Sequence, residues 1–287
     1  MVKVESVVLG SADIEIVVLP HLGARMHALR VLGRDLLRTP NDLLEHERDP
    51  FFWGAYVMAP WCNRLAAGRV AVAGQVVDLA PNFPDGSAIH GQVYGARWTH
   101  VGAGRFTIER SGGGWPWHYA VETSYRAAGL RLTIGQRLTN LDSSPMPAGL
   151  GIHPWLRGRV ELVVNSSLVY PSNLDSPARP VPVKGNLDLR ARQPMAAGVD
   201  ATWAYVADPQ VELWWPVERL HAVMRAQTAT PHIVAANPPE RRAMAVEPQT
   251  HAPQGLRRLI NREPGAMTLV QPTEVLDITT TIEFDRL

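Results

Sequence analysis

The chain has 287 residues, of which 46% are hydrophobic, and it carries 28 Lys and Arg against 27 Asp and Glu, for a formal net charge of +1. This length can bury a large core, either as one β domain or as two smaller domains. The near-neutral balance excludes a charge field that would concentrate nucleic acid or an anionic membrane surface, so we expect neither as a partner. The sequence begins without the apolar segment of a secretory signal, and no apolar run approaches the roughly 20 residues of a membrane span. We therefore expect a soluble cytoplasmic protein.

Cysteine and histidine usage limits the possible metal sites. Cys62 is the only cysteine, which excludes an internal disulfide framework and a thiolate zinc cluster. The ten histidines include no HxH or HExxH arrangement. We therefore expect no metal and no other cofactor.

Segments with a two-residue hydrophobic period recur along the chain, each bounded by Gly, Pro, Asn or Asp, as is typical of strands. Only NDLLEHER and PQGLRRLI predict helices, both short. Because the chain has no repeat and no linker, the pattern predicts one all-β domain over residues 1–287, a large antiparallel β-sandwich. The predicted strands are IEIVVL (14–19), RVAVAGQVVDL (69–79), RFTIER (105–110), YAVETSY (119–125), LRLTIGQRL (130–138), VELVV (160–164), VELWW (211–215), RAMAVEP (242–248) and LDITTTIEF (276–284).

Nine tryptophans are present, and most are expected in the core. Trp61, Trp115 and Trp117 stand beside Pro and Gly, which predicts loop positions. Exposed rings at such positions would suit stacking on the apolar face of a sugar.

Two stretches share an unusual order of small residue, small residue, ionisable group and proline: GLGIHPWL (149–156) and AMAVEPQT (243–250). The strand period directs the large apolar residues to one face, and His153 or Glu247 to the other. Proline favours extended geometry before it and removes a ladder donor, so we expect each strand to end there, at the rim of the sheet. The small residues on the same faces predict open space for a ligand; they are Gly149, Gly151, Ala243 and Ala245.

Three further stretches carry candidate site residues. Asn63 and Arg64 precede a predicted hairpin that turns near Ala73 and Gly74, and His90 precedes a glycine. Asp200 lies in AGVDATWAY. Taken singly, these would be ordinary surface and turn residues.

In their order along the chain, APWCNRLAAGRVAVAG, AIHGQVYGARW, GLGIHPWL, GVDATWAY and VEPQT resemble the aldose 1-epimerase (galactose mutarotase) family. The resemblance covers most of the chain and implies a β supersandwich with an open cleft that holds a sugar. The sequence departs from the family where HGQVYG lacks a second glycine after the histidine, and where Ala201 follows Asp200. The resemblance implies the following roles: His153 as general acid, Glu247 as general base, His90 as a contact to the ring oxygen or a hydroxyl, and Asn63, Arg64 and Asp200 as substrate ligands.

An enzyme of this kind interconverts the α and β anomers of an aldose by opening and closing the ring. A base removes the proton of the anomeric hydroxyl while an acid protonates the ring oxygen, and we expect the two groups on opposite sides of the sugar. Three alternatives stay open. The first is a non-catalytic carbohydrate-binding sandwich. The second is a hexose 6-phosphate mutarotase, with Arg69, Arg97 and Arg157 as loose cations. The third is a glycoside hydrolase that uses Asp200 and Glu247. The sequence leaves the particular sugar and the choice between monomer and homodimer open.

Overall fold

The computed structural model describes residues 5–208 and 210–287. Their helices are few: two 3-10 turns, Pro20–Leu22 and Gly185–Leu187, and two short α-helices, α1 (Glu45–Arg48) and α2 (Gly255–Asn261). The first strands are β1 (Val7–Gly10), β2 (Ile14–Leu19), β3 (Arg25–Val31), β4 (Arg34–Asp35), β5 (Ala55–Met58), β6 (Arg64–Leu65), β7 (Gly68–Val72), β8 (Gln75–Leu79), β9 (Ala88–Ile89), β10 (Thr99–Gly102), β11 (Arg105–Gly112), β12 (Trp115–Ala128) and β13 (Arg131–Asn140).

The remaining strands follow the same antiparallel pattern. They are β14 (Met146–Ala148), β15 (Gly151–Leu156), β16 (Glu161–Val164), β17 (Leu168–Tyr170), β18 (Val181–Pro182), β19 (Gln193–Pro194), β20 (Asp200–Ala204), β21 (Val211–Trp215), β22 (Leu220–Gln227), β23 (His232–Ala236), β24 (Met244–Gln249), β25 (Thr268–Val270) and β26 (Val275–Arg286).

Two large sheets form the body of the fold. The larger has 11 strands in the order β1-β2-β3-β5-β15-β24-β23-β20-β17-β18, with β4 added beside β3. The smaller has nine strands in the order β10-β11-β12-β13-β26-β22-β21-β16-β19. Their facing side chains, such as Ile152 and Val246 from one sheet and Leu132 and Ile278 from the other, lie in one hydrophobic cluster. This is the face-to-face packing of a β-sandwich.

The larger sheet is also covered on its outer face. Strands β5, β15 and β24 are buried at every residue, whereas β13 and β26 mostly alternate buried residues with more exposed ones. A second hydrophobic cluster lies on this outer side and includes Phe52, Tyr56, Met58, Trp155 and Ala245. The site described below lies on this outer face, next to that cluster.

The structure confirms the all-β prediction. Each of the nine predicted segments lies on a strand, or on the β7–β8 hairpin, and both predicted helices form. The hairpin turns at Ala73 and Gly74, which have φ values of 49° and 76°. Within 5–208 and 210–287, no helix is long and apolar enough to cross a bilayer. The prediction made from the first residues falls partly on 1–4, which lie outside the described residues.

The prediction for three tryptophans is wrong. Trp61, Trp115 and Trp117 are buried in the main hydrophobic cluster, and β12 includes the latter two. The glycines before Trp115 form the turn between β11 and β12, so the Gly-rich signal marks the turn and not the rings that follow it.

The two site strands do not end at their prolines, so this sequence prediction is wrong. Pro154 lies inside β15 and Pro248 inside β24. The two strands pair at Gly151↔Gln249 and at Trp155↔Ala245, with both prolines in the interval between these pairs. Since proline has no N–H to donate, the ladder opens in this interval while the strands continue, held by their other neighbours.

The small residues do not leave open space above the sheet, so this prediction is also wrong. A Cβ on Gly149 would lie 2.2 Å from the His251 ring, and one on Gly151 would lie 2.9 Å from atoms of Gln249 and Met58. Ala243 and Ala245 belong to the outer hydrophobic cluster. These residues are small because neighbouring groups press against them.

This packing predicts the effect of enlarging Gly151. We expect Gly151→Val to lower the free energy of unfolding by about 1 to 3 kcal/mol, because its side chain overpacks the layer formed by Met58 and Gln249. Urea denaturation measures the change. Gly95→Val is the matched control, since Gly95 is exposed and a Cβ at this position would have no neighbouring atom within 4 Å. Equal stability of the two variants would contradict the packed arrangement.

Candidate active site

His153 and Glu247 are side-chain neighbours on adjacent strands. His153 Nε2 lies 3.1 Å from Glu247 Oε1, and the two side chains are only 5% and 3% exposed. The expectation of an acid and a base on opposite sides of a sugar ring is corrected by this geometry. The anomeric hydroxyl oxygen and the ring oxygen are bonded to the same carbon, so an acid and a base that lie side by side can serve both oxygens.

His90 is held above this pair by a reciprocal contact with Asn63. The backbone N–H of Asn63 donates to His90 Nδ1 (3.2 Å), and the backbone N–H of His90 donates to the backbone carbonyl of Asn63 (3.1 Å). Both residues have left-handed backbones, with φ values of 53° for Asn63 and 61° for His90. Because Nδ1 accepts this hydrogen bond, the hydrogen of a neutral His90 ring is on Nε2. The centroids of the His90 and His153 rings are 5.0 Å apart.

Arg64 lies at the start of β6, which pairs with β9 beside His90. Its Nε donates to Asp85 Oδ2 at 2.7 Å, and its Nη1 lies 3.1 Å from Asp200 Oδ2. Asp200 also accepts a hydrogen bond from the buried Asn173 amide, which is fixed in turn by the Thr202 hydroxyl (2.6 Å). These contacts hold both charged groups in fixed positions.

A cleft of about 330 Å³ connects these residues, and all six candidate site residues line it. Its apolar wall comes from rings that the sequence reasoning did not select: Phe51, Phe52, Tyr56, Phe83 and Trp155. In the sequence, the aromatic run FFWGAY (51–56) is the feature that could have predicted part of this wall. Arg241 was also missed, since only the tertiary structure brings it to the cleft, where its guanidinium lies 4.5 Å from the Phe52 ring centroid.

Burial controls the protonation of the central pair. It raises the pKa of Glu247 well above its usual value, with a further increase from the Asp200 charge and an opposing effect from Arg64. Burial is the main cause that lowers the pKa of His153 to about 3; the charges of Arg25 and Arg64 act in the same direction, and a backbone hydrogen bond opposes them. Both shifts are toward the neutral forms, and one proton between Nε2 and Oε1 would satisfy both atoms of the contact. Glu247 Oε2 is buried without a hydrogen-bond partner among the described residues, which leaves it available to a ligand.

His90, His153 and Glu247 also resemble a metal site in their spacing. Their potential ligand atoms lie within 4.8 Å of one another, a clustering that the sequence motifs did not predict. The hydrogen bonding of His90 does not fit metal ligation. A ligating imidazole donates its second N–H to an acceptor, but His90 Nδ1 faces the N–H of Asn63. The ring therefore presents a donor, and not a lone pair, at Nε2.

Comparison with known proteins identifies the family of the chain. The family model described as aldose 1-epimerase matches residues 5–283, which is nearly the whole chain. The chain belongs to this family. No curated protein matches it.

Solved structures from the same family share the fold at low identity. A protein from Escherichia coli K12 described as a candidate aldose 1-epimerase is 19% identical, with 99% of each chain covered and a TM-score of 0.83. An aldose epimerase homologue from C. elegans is 15% identical, with 99% of this chain and 100% of that chain covered and a TM-score of 0.81. A galactose 1-epimerase from Lactobacillus acidophilus NCFM is 14% identical, with coverage of 96% and 92% and a TM-score of 0.75. These likenesses establish the β supersandwich.

The buried histidines predict acid sensitivity. Burial lowers the pKa of His46 and His153 to about 3, and of His232 and His251 to about 4, from 6.5. As pH falls below the unfolded value, the unfolded chain binds protons that the folded chain does not, so stability is lost at up to about 1.4 kcal/mol per pH unit for each group. The raised pKa of Glu247 acts in the opposite direction, but it is one group against these four histidines and two more, His27 and His90, whose pKa burial also lowers.

We expect the free energy of unfolding to fall between pH 6.5 and pH 4.5, measured by urea titration at each pH. His251→Gln should make this dependence shallower because it removes one of the buried imidazoles. His100→Gln, at an exposed position, is the control. A stability that rises as the pH falls through this window would contradict the prediction.

Proposed function

We propose that the protein is an aldose 1-epimerase that interconverts the α and β anomers of an aldose, with Glu247 as general base and His153 as general acid. The observation that carries this proposal is the 3.1 Å contact between the two groups. Both line a cleft with an aromatic wall, as a sugar site requires. Family membership supports the same reaction type.

The proton balance of the reaction matches a pair that holds one proton. In the reactive form, Glu247 is ionised and His153 is protonated. Glu247 takes the proton of the C1 hydroxyl, the bond from C1 to the ring oxygen breaks, and His153 donates its proton to that oxygen. The open aldehyde then faces a protonated Glu247 and a neutral His153. Rotation about the C1–C2 bond and reversal of the proton transfers close the ring with the other configuration.

The remaining cleft residues would orient the sugar. His90 Nε2–H is placed to donate to the ring oxygen or to a hydroxyl beside it. Arg64 and Asp200 offer a donor and an acceptor for hydroxyl groups, and each is fixed by other contacts before a ligand arrives. Asn63 lines the cleft, while its Oδ1 accepts the Arg64 N–H at 2.8 Å. Such preorganised polar contacts position a substrate without further side-chain ordering.

The charges of the cleft favour an unphosphorylated sugar. Among the described residues that line it, both arginines are paired with carboxylates: Arg64 with Asp85 and Asp200, and Arg241 with Asp49. A phosphate needs cations or clustered donors that are not already neutralised. Arg69, Arg97 and Arg157, considered as loose cations from the sequence, do not line the cleft. We therefore propose a neutral aldose over a hexose 6-phosphate.

We expect Glu247→Gln and His153→Asn each to lower kcat for anomer interconversion by about 10² to 10⁴-fold while sugar binding changes little. Polarimetry or NMR exchange measures the rate, and saturation-transfer NMR measures the binding. The assay includes an aldose panel and the corresponding 6-phosphates. Faster turnover of a 6-phosphate would contradict the substrate class.

A second His–Glu contact supplies matched controls. His221 Nε2 lies 3.2 Å from Glu212 Oε2 on the smaller sheet, away from the cleft. Glu212→Gln and His221→Asn should leave the rate unchanged. If the Glu247 and His153 variants bind sugar and the unaltered protein has no activity on any aldose, the chain is a binding protein. Release of a reducing sugar from a glycoside would indicate a hydrolase.

Activity should not require a metal, because His90 presents a donor to the cleft. We expect exhaustive chelation to leave the rate of anomer interconversion unchanged, as measured by the same polarimetric assay. Loss of activity on chelation, followed by recovery with one specific ion, would refute this expectation.

A further inference from the structure

Four polar or aromatic side chains form a row across the centre of the larger sheet. The strand order β3-β5-β15-β24 and the register of these strands place Arg25, Tyr56, His153 and Glu247 at successive cross-strand positions. Residues directly opposite one another in an antiparallel sheet project from the same face. The row therefore continues the His153–Glu247 pair across the sheet on the side of the imidazole, with Tyr56 still lining the cleft and Arg25 behind it.

The contacts along the row are close. The Arg25 guanidinium carbon lies 4.8 Å from the centroid of the Tyr56 ring. The Tyr56 and His153 rings are stacked, with centroids 4.7 Å apart and planes inclined by 23°. Because β5 lies between β3 and β15, the Tyr56 ring lies between the guanidinium and the imidazole.

Arg25 is a buried cation with an unusual set of partners. It is 1% exposed and donates to the carbonyls of Pro50 (2.6 Å), Trp53 (2.8 Å) and Tyr94 (3.2 Å). No carboxylate of the described residues lies within ion-pair distance of it, and burial lowers its pKa to about 10. Carbonyl groups satisfy the N–H donors but do not neutralise the charge, and burying an unneutralised charge is costly.

We propose that Arg25 and Tyr56 are positioning residues for His153: the Tyr56 ring fixes the plane of the imidazole, and the Arg25 charge behind it opposes a permanent positive charge on that imidazole. This inference rests on the proposed function only in the consequence for the rate. The stacked row itself is independent of any activity.

Each member of the His153–Glu247 pair has a nearby charge that disfavours its own charged form. Arg25 disfavours the imidazolium, and the charge of Asp200 disfavours the ionised Glu247. Both charges therefore disfavour a permanent ion pair between the His153 imidazolium and the Glu247 carboxylate. In such an ion pair His153 would be a weaker acid, and Glu247 a weaker base, than the reaction needs. The charged and titratable groups that face His153 are Glu247 on β24, Tyr56 on β5, Arg25 on β3, Arg64 on β6 and His90 after β9.

The test measures the protonation of His153 directly, by ¹⁵N NMR of histidine-labelled protein, with His153→Asn to assign the signal. Arg25→Met should raise the pKa of His153 by roughly 1 unit, the effect of one charge two strand spacings (about 10 Å) away at an effective dielectric constant of about 20. Arg25→Lys retains the charge and should restore most of the original value. Because the reactive form holds a protonated His153, the higher pKa populates that form while it weakens the acid, so we expect the pH profile of kcat to move in the same direction as the pKa, with little change in KM.

Arg258 provides a matched control for the loss of a buried arginine. It is also fully buried, donates to several carbonyls and lies 4.3 Å from the ring of Tyr170, but it is not in the row. Arg258→Met should reduce stability without changing the His153 titration. Tyr56→Leu tests the ring should Arg25→Met fail to fold: it should lower kcat more than it raises KM, and Tyr56→Phe, which keeps the stacked ring but loses the hydroxyl that donates to the Phe51 carbonyl, should recover most of that loss in kcat.

An unchanged His153 titration in folded Arg25→Met, or equal kcat values for Tyr56→Leu and Tyr56→Phe, would overturn the proposal. So would an equal shift in Arg258→Met. If the unaltered protein interconverts no aldose, the proposed function fails, while the NMR titration still decides whether Arg25 controls the charge of His153.

Discussion

The contact between His153 and Glu247 is the interaction on which the rest of the structure depends. It places two ionisable groups against each other inside a sheet, where burial shifts the pKa of each group toward its neutral form. A pair buried in this way must be held by a rigid frame, since a small separation would leave two unpaired polar groups in the interior. The frame is the centre of the larger sheet. Its strands are buried on both faces, and its two prolines interrupt the ladder where the side chains meet.

The polar groups around the pair are fixed by hydrogen bonds to the backbone and to one another. His251 accepts the N–H of Cys62, and His90 accepts the N–H of the next residue, Asn63. These two bonds hold the turn that presents Arg64. The close approach of the His251 ring explains why position 149 is a glycine. The same arrangement explains the left-handed backbones at Asn63 and His90, which persist only where neighbouring contacts over-determine them.

Local sequence patterns correctly predicted the features that depend on a single strand, such as the face on which each side chain lies. The two-residue period assigned Ile152 and Val246 to the sandwich interior and His153 and Glu247 to the opposite face, because alternation depends on the strand alone. The family motifs predicted which six residues would line one cleft. Crowding around Gly151, however, depends on neighbouring strands that are distant in sequence. Arg25 reads as an ordinary charged residue in a strand, and only the register across four strands places it behind Tyr56.

The buried polar row lowers the stability of the fold, and its side chains form part of the candidate site. Replacing a buried charged array by apolar side chains is often neutral or stabilising, so the array is poor evidence for stability. The stability of the fold is therefore expected to come mainly from the apolar cluster between the two sheets. Arg64 and Arg241 meet carboxylates at the cleft, while among the described residues Arg25 donates only to carbonyls and lies beside an aromatic ring. A carboxylate in contact with Arg25 would cancel most of its field at His153, so the proposed action on the imidazole depends on carbonyls being its hydrogen-bond partners.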